Sequence, residues 1–275
     1  MEKMTIDEIQ KVELTILKEV VQICEELEIT YWGIYGTLIG AIRHKGFIPW
    51  DDDLDIAMKR EDYEKFIAYF LKKYRGKLQL HCIDAKEDYP YYIARVSKEG
   101  YKLIFDQYDY TSGVFIDIYP LDGMGNSKEF WLKSRGYIKY IHKGLECAGC
   151  KSIFLGSNWI KKIVKIPFVI YCKWKGKEYF YQKIDSLSQK YKWEESKYIG
   201  VPVWASDIWF NEKEDYAQSI LVPFEDMMIN VPKNYDAVLS RIYGDYMQLP
   251  PLEKRVPQHG YTAYKMEGQK IEYTK

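Results

Sequence analysis

An α/β (α+β) fold, a mixed sheet flanked by helices, is what this sequence predicts, together with a basic helical insert and a loop-rich C-terminal region. Three observations predict it. Helical and strand periodicities alternate over residues 6–119, the stretch 131–177 is strongly basic, and the last third is punctuated by Pro and Gly.

The elements follow in order. Thr5 with Glu8 three residues later forms a capping box, and Ile9, Val12, Ile16, Val20 and Cys24 recur at helical spacing, which predicts a helix over 6–27. Residues 29–35 are aromatic and β-branched and predict a strand. Gly36 breaks it, and a short helix over 37–43 starts at that break. A strand over 53–58 precedes an amphipathic helix over 61–74, with Tyr63, Phe66, Ile67 and Phe70 on one side. Further strands are expected at 78–83, 91–96, 102–105 and 114–119. The expected organisation is a catalytic core over 1–125, a basic helical insert over 126–200, and a C-terminal region over 201–275 packing on the core.

Composition narrows the class. Hydrophobic residues make up 47% of the 275, an ordinary globular value, and aromatics reach 16%, with 26 Tyr. The 40 basic and 40 acidic residues cancel, so net charge names no partner, and no recognised nucleic-acid motif is present. The polar start and five cysteines without regular spacing favour a reducing cytoplasm and unpaired thiols. Cys147-Ala148-Gly149-Cys150 lacks a second pair at zinc-ligand spacing, so it reads as two free thiols on a helix. No apolar run approaches the roughly 18–20 residues of a membrane span. The segment 131–177 nevertheless carries eleven cations against one acid, Glu146, interleaved with aromatic residues such as Phe154, Trp159 and Trp174. That pattern suits peripheral contact with an anionic membrane, and equally a helix covering the core. Pro167 is expected to kink any helix there.

Chemistry concentrates in the run from Gly36 to Ile56. Asp51, Asp52, Asp53 and Asp55 place four carboxylates within five positions, where they repel one another unless solvent or a cation neutralises them. On a strand Asp53 and Asp55 point to one face while Leu54 and Ile56 point to the core. Two adjacent carboxylates suit Mg²⁺ or Mn²⁺, hard ions that prefer oxygen and share it with substrate phosphates. A calcium loop is rejected, because Ile56 stands where the sixth position requires Gly and Asp62 where the twelfth requires Glu. Asp117, set between Ile116 and Ile118, is out of place in a buried strand unless paired, and three carboxylates converge if its strand lies beside Asp53 and Asp55. Gly36-Thr37 at a strand-to-helix break is suited to bring backbone N–H groups to a phosphate, with Arg43, His44 and Lys45 as further anion contacts.

Hydrophobic-Gly-Thr, then Asp-hydrophobic-Asp, then a later hydrophobic-Asp-hydrophobic resembles the nucleotidyltransferase superfamily. The full run GTLIGAIRHKGFIPWDDDLDI resembles the LicD family of phosphocholine transferases and fukutin relatives. Val114 to Asp122 resembles that family's second block, and Tyr243 to Pro251 its C-terminal block. The resemblance implies a nucleotidyltransferase fold, with Asp53, Asp55 and Asp117 as metal-binding and catalytic carboxylates; the in-line attack expected of such a site makes Asp117 the general base. It implies Gly36-Thr37 as the phosphate-cradling turn. It also implies Mg²⁺ or Mn²⁺ as cofactor, a CDP-linked donor of a phosphorylated alcohol such as phosphocholine, and a sugar hydroxyl of a surface glycan as acceptor; the basic segment 131–177 adds the expectation of a lipid-linked acceptor at the inner membrane face. The alternatives are a true nucleotidyltransferase releasing pyrophosphate, and an inactive binding module. The family often ends in paired histidines, where this chain has the single His259.

Overall fold

A computed structural model describes residues 1–83, 89–153, 159–202, 209–257 and 259–267, leaving aside the side chains of 159–162. Strand β1 (Glu2–Lys3) leads into helix α1 (Ile6–Glu26), whose capping box forms as expected. The Thr5 hydroxyl accepts from the Glu8 amide at 3.3 Å and the Thr5 amide donates to the Glu8 carboxylate at 2.9 Å, an arrangement worth about 1 kcal/mol. The apolar stripe of α1 packs on the sheet, with Val12, Ile16, Leu17 and Val20 buried.

Then follow β2 (Tyr31–Gly33), α2 (Tyr35–Ile39) with a π-helical turn over Gly40–His44, β3 (Asp55–Lys59) and α3 (Arg60–Lys72). The short helix starts two residues earlier than the sequence suggests, because Tyr35 takes a left-handed φ of 48° and turns the chain before Gly36. Next come β4 (Leu78–His81), β5 (Ala94–Phe105) and β6 (Thr111–Gly123). The expected strands at 91–96 and 102–105 are one long strand, irregular between Lys98 and Leu103.

The main sheet runs β1–β11–β5–β6–β3–β2, where β11 is Tyr261–Lys265. Strands β3 and β6 are parallel; their neighbours pair antiparallel, so the sheet is mixed, as predicted. Along one edge of β5, β4 pairs with its first half and β11 with its second.

The basic segment forms α4 (Glu129–Gly149) and α5 (Trp159–Ser188), packed against each other. A Cβ on Gly144 would collide with the Phe180 ring, so this glycine sets how closely the two helices approach. Helix α5 passes through Pro167 and breaks instead at Gly176, φ 78° and ψ 162°, a conformation open to glycine. Phe154 and Leu155 and the side chains of Trp159, Ile160, Lys161 and Lys162 lie outside the described residues. All five cysteines are buried and none is in a disulfide. Burial raises the thiol pKa of Cys147 and Cys150, the opposite of a reactive pair.

The C-terminal third holds more regular structure than its Pro and Gly content suggests. After β7 (Tyr198–Gly200) and β8 (Asn211–Glu212) come the hairpin β9 (Ser219–Phe224) with β10 (Met227–Pro232), and α6 (Tyr235–Tyr243).

Candidate active site

The parallel register of β3 and β6 sets Asp55 opposite Asp117, with Ile56 opposite Ile118 and Ala57 opposite Tyr119. Side chains alternate along a strand, so the two aspartates share one face while Ile56 and Ile118 are buried on the other. On the far side of β6, Arg95 of β5 stands opposite Asp117. One row across three strands therefore reads Asp55, Asp117, Arg95. The Arg95 Nε and Nη2 donate to the two oxygens of Asp117 at 2.7 and 3.0 Å, a buried bidentate pair.

Asp53 is not on the strand. Strand β3 begins at Asp55, and Asp53 lies in the connection before it, so strict strand alternation does not align these two carboxylates. That connection is pinned elsewhere: the Gln10 side chain of α1 donates to the carbonyls of Ile48 and Asp51 at 3.1 and 2.8 Å, and the Phe47 amide donates to Glu225 at 3.0 Å. Asp53 still reaches the same space, because it lines a cavity with Asp117, Arg95 and Tyr119.

Crowding shows in the electrostatics. Burial first, then the charges of Asp53 and Asp117, hold the Asp55 carboxyl well above the usual carboxylate range. Burial and then Asp53 raise Asp51 as well. Asp55 Oδ1 is buried with no hydrogen-bond partner. A fifth carboxyl, Glu13 of α1, lies beneath the cluster; burial and then Asp53 raise it strongly, and its Oε2 is also without a partner.

The Gly36-Thr37 turn is fastened to this cluster. The Asp55 amide donates to the Thr37 hydroxyl at 2.8 Å, which ties the start of β3 to α2. A Cβ on Gly36 would collide with the Asp51 carboxylate. Arg43 instead donates to the carbonyl of Tyr246 at 2.6 Å and to the ring of His44 at 2.9 Å. The left-handed Lys45, φ 60°, ends the turn. Among the described residues none of Arg43, His44 and Lys45 forms an ion pair with the carboxylates.

Two residues beyond the expected set belong here. His259 comes from the segment before β11 and bridges Asp52 and Asp53, with Nδ1 2.9 Å and Nε2 3.3 Å from their oxygens. Burial opposes its charge, but the hydrogen bond to Asp52 and the charges of Asp53 and Asp52 push its pKa up to about 9. The Tyr261 hydroxyl donates to the Asp52 carbonyl beside it. Arg95 had a legible signal: an arginine between Ala94 and Val96 is as misplaced in an apolar strand as Asp117 in its own, and the two charges are opposite. His259 was marked only by the family resemblance, as the single histidine where a pair is usual; its partners lie more than 200 positions away, so nothing local pointed to them.

Among the described residues no group of three His, Cys, Asp or Glu side chains is arranged to hold a metal ion. Arg95 takes both oxygens of Asp117, and His259 takes one of Asp53. The donor set fits a hard divalent ion in kind: all oxygen, crowded with negative charge, and with one orphaned oxygen on Asp55.

The comparisons with known proteins fit this geometry. The family model described as LicD/FKTN/FKRP, nucleotidyltransferase domain, matches residues 28–146, which contain α2, β3, β5 and β6. The lipopolysaccharide cholinephosphotransferase LicD of Haemophilus influenzae is 31% identical over 96% of this chain and 99% of its own length. An uncharacterised protein of Rickettsia typhi is 31% identical over 38% of this chain and 36% of its own, and one of Rickettsia prowazekii is 47% identical over 17% and 18%. A match over nearly the whole of both chains, on a mixed sheet that sets Asp55 beside Asp117, places this protein in the LicD family.

Proposed function

We propose that this protein transfers phosphocholine from CDP-choline to a sugar hydroxyl of a cell-surface glycan, with a divalent metal ion. The observation that carries the reading is the near-full-length likeness to a cholinephosphotransferase, combined with the carboxylate row at its parallel strand pair. The acceptor oxygen attacks the phosphorus that bears choline, the bond from that phosphorus to the CMP oxygen breaks, and CMP leaves with the bonding pair. Asp53, Asp55 and Asp117 would hold Mg²⁺ or Mn²⁺, which when bound offsets the charge developing on the transferred group. The Gly36-Thr37 turn is the expected support for the donor's phosphates. The acceptor proton needs a carboxylate. Asp117 is the expected base, and Asp53, which lines the same cavity and whose carboxyl burial raises above its usual range, is the alternative because Arg95 occupies both oxygens of Asp117.

The acceptor is read as lipid-linked, presented to α4 and α5 at a membrane face. No helix among the described residues is long and apolar enough to cross a membrane. The pair instead exposes Leu132, Ile163, Val164, Ile170 and Trp174 beside Lys139 and Lys165.

A donor screen with CDP-choline, CDP-glycerol, CDP-ribitol and nucleoside triphosphates tests the reading by what is released. CMP from CDP-choline, abolished in Asp55→Asn, is the expected result. Pyrophosphate from a triphosphate would make the chain a true nucleotidyltransferase, and no release from any donor would make it a binding module.

A further inference from the structure

The cavity beside the carboxylates has about 220 Å³ of free space, with Asp53 and Asp117 at one side and a wall of aromatic rings. Pockets that enclose drug-sized ligands run to roughly 300–1,000 Å³, so this one admits a small head group and not a nucleotide. Several of its rings meet at steep angles. Tyr91 and Tyr108 stand 5.4 Å apart at 70°, Tyr91 and Phe105 6.4 Å at 59°, and Phe105 and Tyr261 5.8 Å at 66°. These rings already stabilise one cation: the Arg95 guanidinium carbon lies 3.5 Å from the centre of Phe115 and 4.6 Å from that of Tyr91. Asp117 balances that charge with two hydrogen bonds, and the neighbouring His259 is paired with Asp53, so neither cation bars a second one held on the ring faces.

We propose that this cavity seats the quaternary ammonium head of the transferred alcohol, held by the aromatic faces. The inference rests on the phosphocholine reading and names where that group sits. A quaternary ammonium has no hydrogen to donate and needs no acceptor, so rings suit it. A polyol such as glycerol or ribitol would need a partner for each hydroxyl. The faces of Phe105 and Phe115 offer such hydroxyls no partner, so any that turn to these two rings go unpaired.

The test compares choline with its uncharged carbon isostere, 3,3-dimethylbutanol, by titration calorimetry on the full chain. Choline should bind about tenfold or more tightly, because the two differ in charge and hardly in shape. That preference should shrink in Tyr108→Leu, and in Phe105→Leu if the first variant does not fold. Equal affinity of the wild-type protein for the two probes, or tighter binding of glycerol than choline, overturns the proposal without any variant. Turnover separates it from the reading it rests on. CMP release from CDP-choline with KM unmoved in a folded Tyr108→Leu overturns the cavity assignment alone. Preferential binding of choline without CMP release supports the cavity and overturns the donor reading.

Discussion

Asp117 and Arg95 hold each other in a place where neither charge could stand alone. Removing one partner of a buried ion pair leaves the other uncompensated, at a cost of about 3–5 kcal/mol. Arg95→Met should therefore lower the melting temperature strongly. The double variant Arg95→Met with Asp117→Asn should recover most of the loss, because neither member of the pair is left buried without its partner. Thermal melting of the four proteins checks this, and additive losses would show that the two residues do not act as a pair. His259 makes the site sensitive to pH. Its pKa of about 9 lies above the usual value, so the stabilisation it gives is complete below about pH 6.5 and is lost as pH rises through about 9. The raised carboxyls of Asp51 and Asp55 act in the same direction: the unfolded chain releases those protons first, so stability falls as pH rises above the ordinary carboxylate range. In EDTA the melting temperature should fall between pH 5 and pH 9, and His259→Gln should flatten the upper part of that slope. A melting temperature that rises over this interval would contradict the assignment.

At the scale of elements, the bond from the Asp55 amide to Thr37 connects a turn to a strand. Without it the first residue of β3 keeps a buried donor with nothing to accept it, which costs about 1–3 kcal/mol. Thr37→Val keeps the shape and removes the acceptor, so it should lower stability by that amount and slow transfer by letting the Asp55 backbone drift. Thr37→Ser keeps the hydroxyl and should restore most of both. If Val and Ser behave alike in melting and in turnover, the hydroxyl is not what fixes the strand. The Gly36 position tells a related story. Its missing side chain makes room for the Asp51 carboxylate, so a larger residue here would push Asp51 away from its place in the cluster.

For the whole molecule, the proposed membrane contact rests on the exposed side of the α4–α5 pair. Val164 is 72% exposed and Trp174 75%, although the same helices bury Trp131, Ile138, Cys172 and Phe180 against each other and the core. Each cation near an anionic surface contributes up to about 1 kcal/mol, which makes attachment reversible and salt-sensitive. In flotation assays anionic vesicles should retain the protein at low salt and release it at high salt. Lys139→Glu with Lys165→Glu should weaken retention, and Trp174→Ser should weaken it further. Equal behaviour on neutral and anionic vesicles would make this pair plain scaffold.

The sequence alone carried the mixed α/β class, the capping box at Thr5 and the family, because these depend on neighbours within a turn of helix or on unbroken motifs. It pointed to the row of Asp55 and Asp117, since a carboxylate between β-branched residues has few physical explanations. It misplaced Asp53 on the strand, because alternation holds only where a ladder forms and the ladder starts at Asp55. It took the stretch beyond residue 200 for loops, since Pro and Gly mark turns but not the hairpin those turns join. Only the tertiary structure decided which opposite charges meet: Arg95 across one strand pair, His259 across 207 positions of chain. Such contacts are fixed by sheet order and by the packing of the C-terminal segment, and neither leaves a trace in local periodicity.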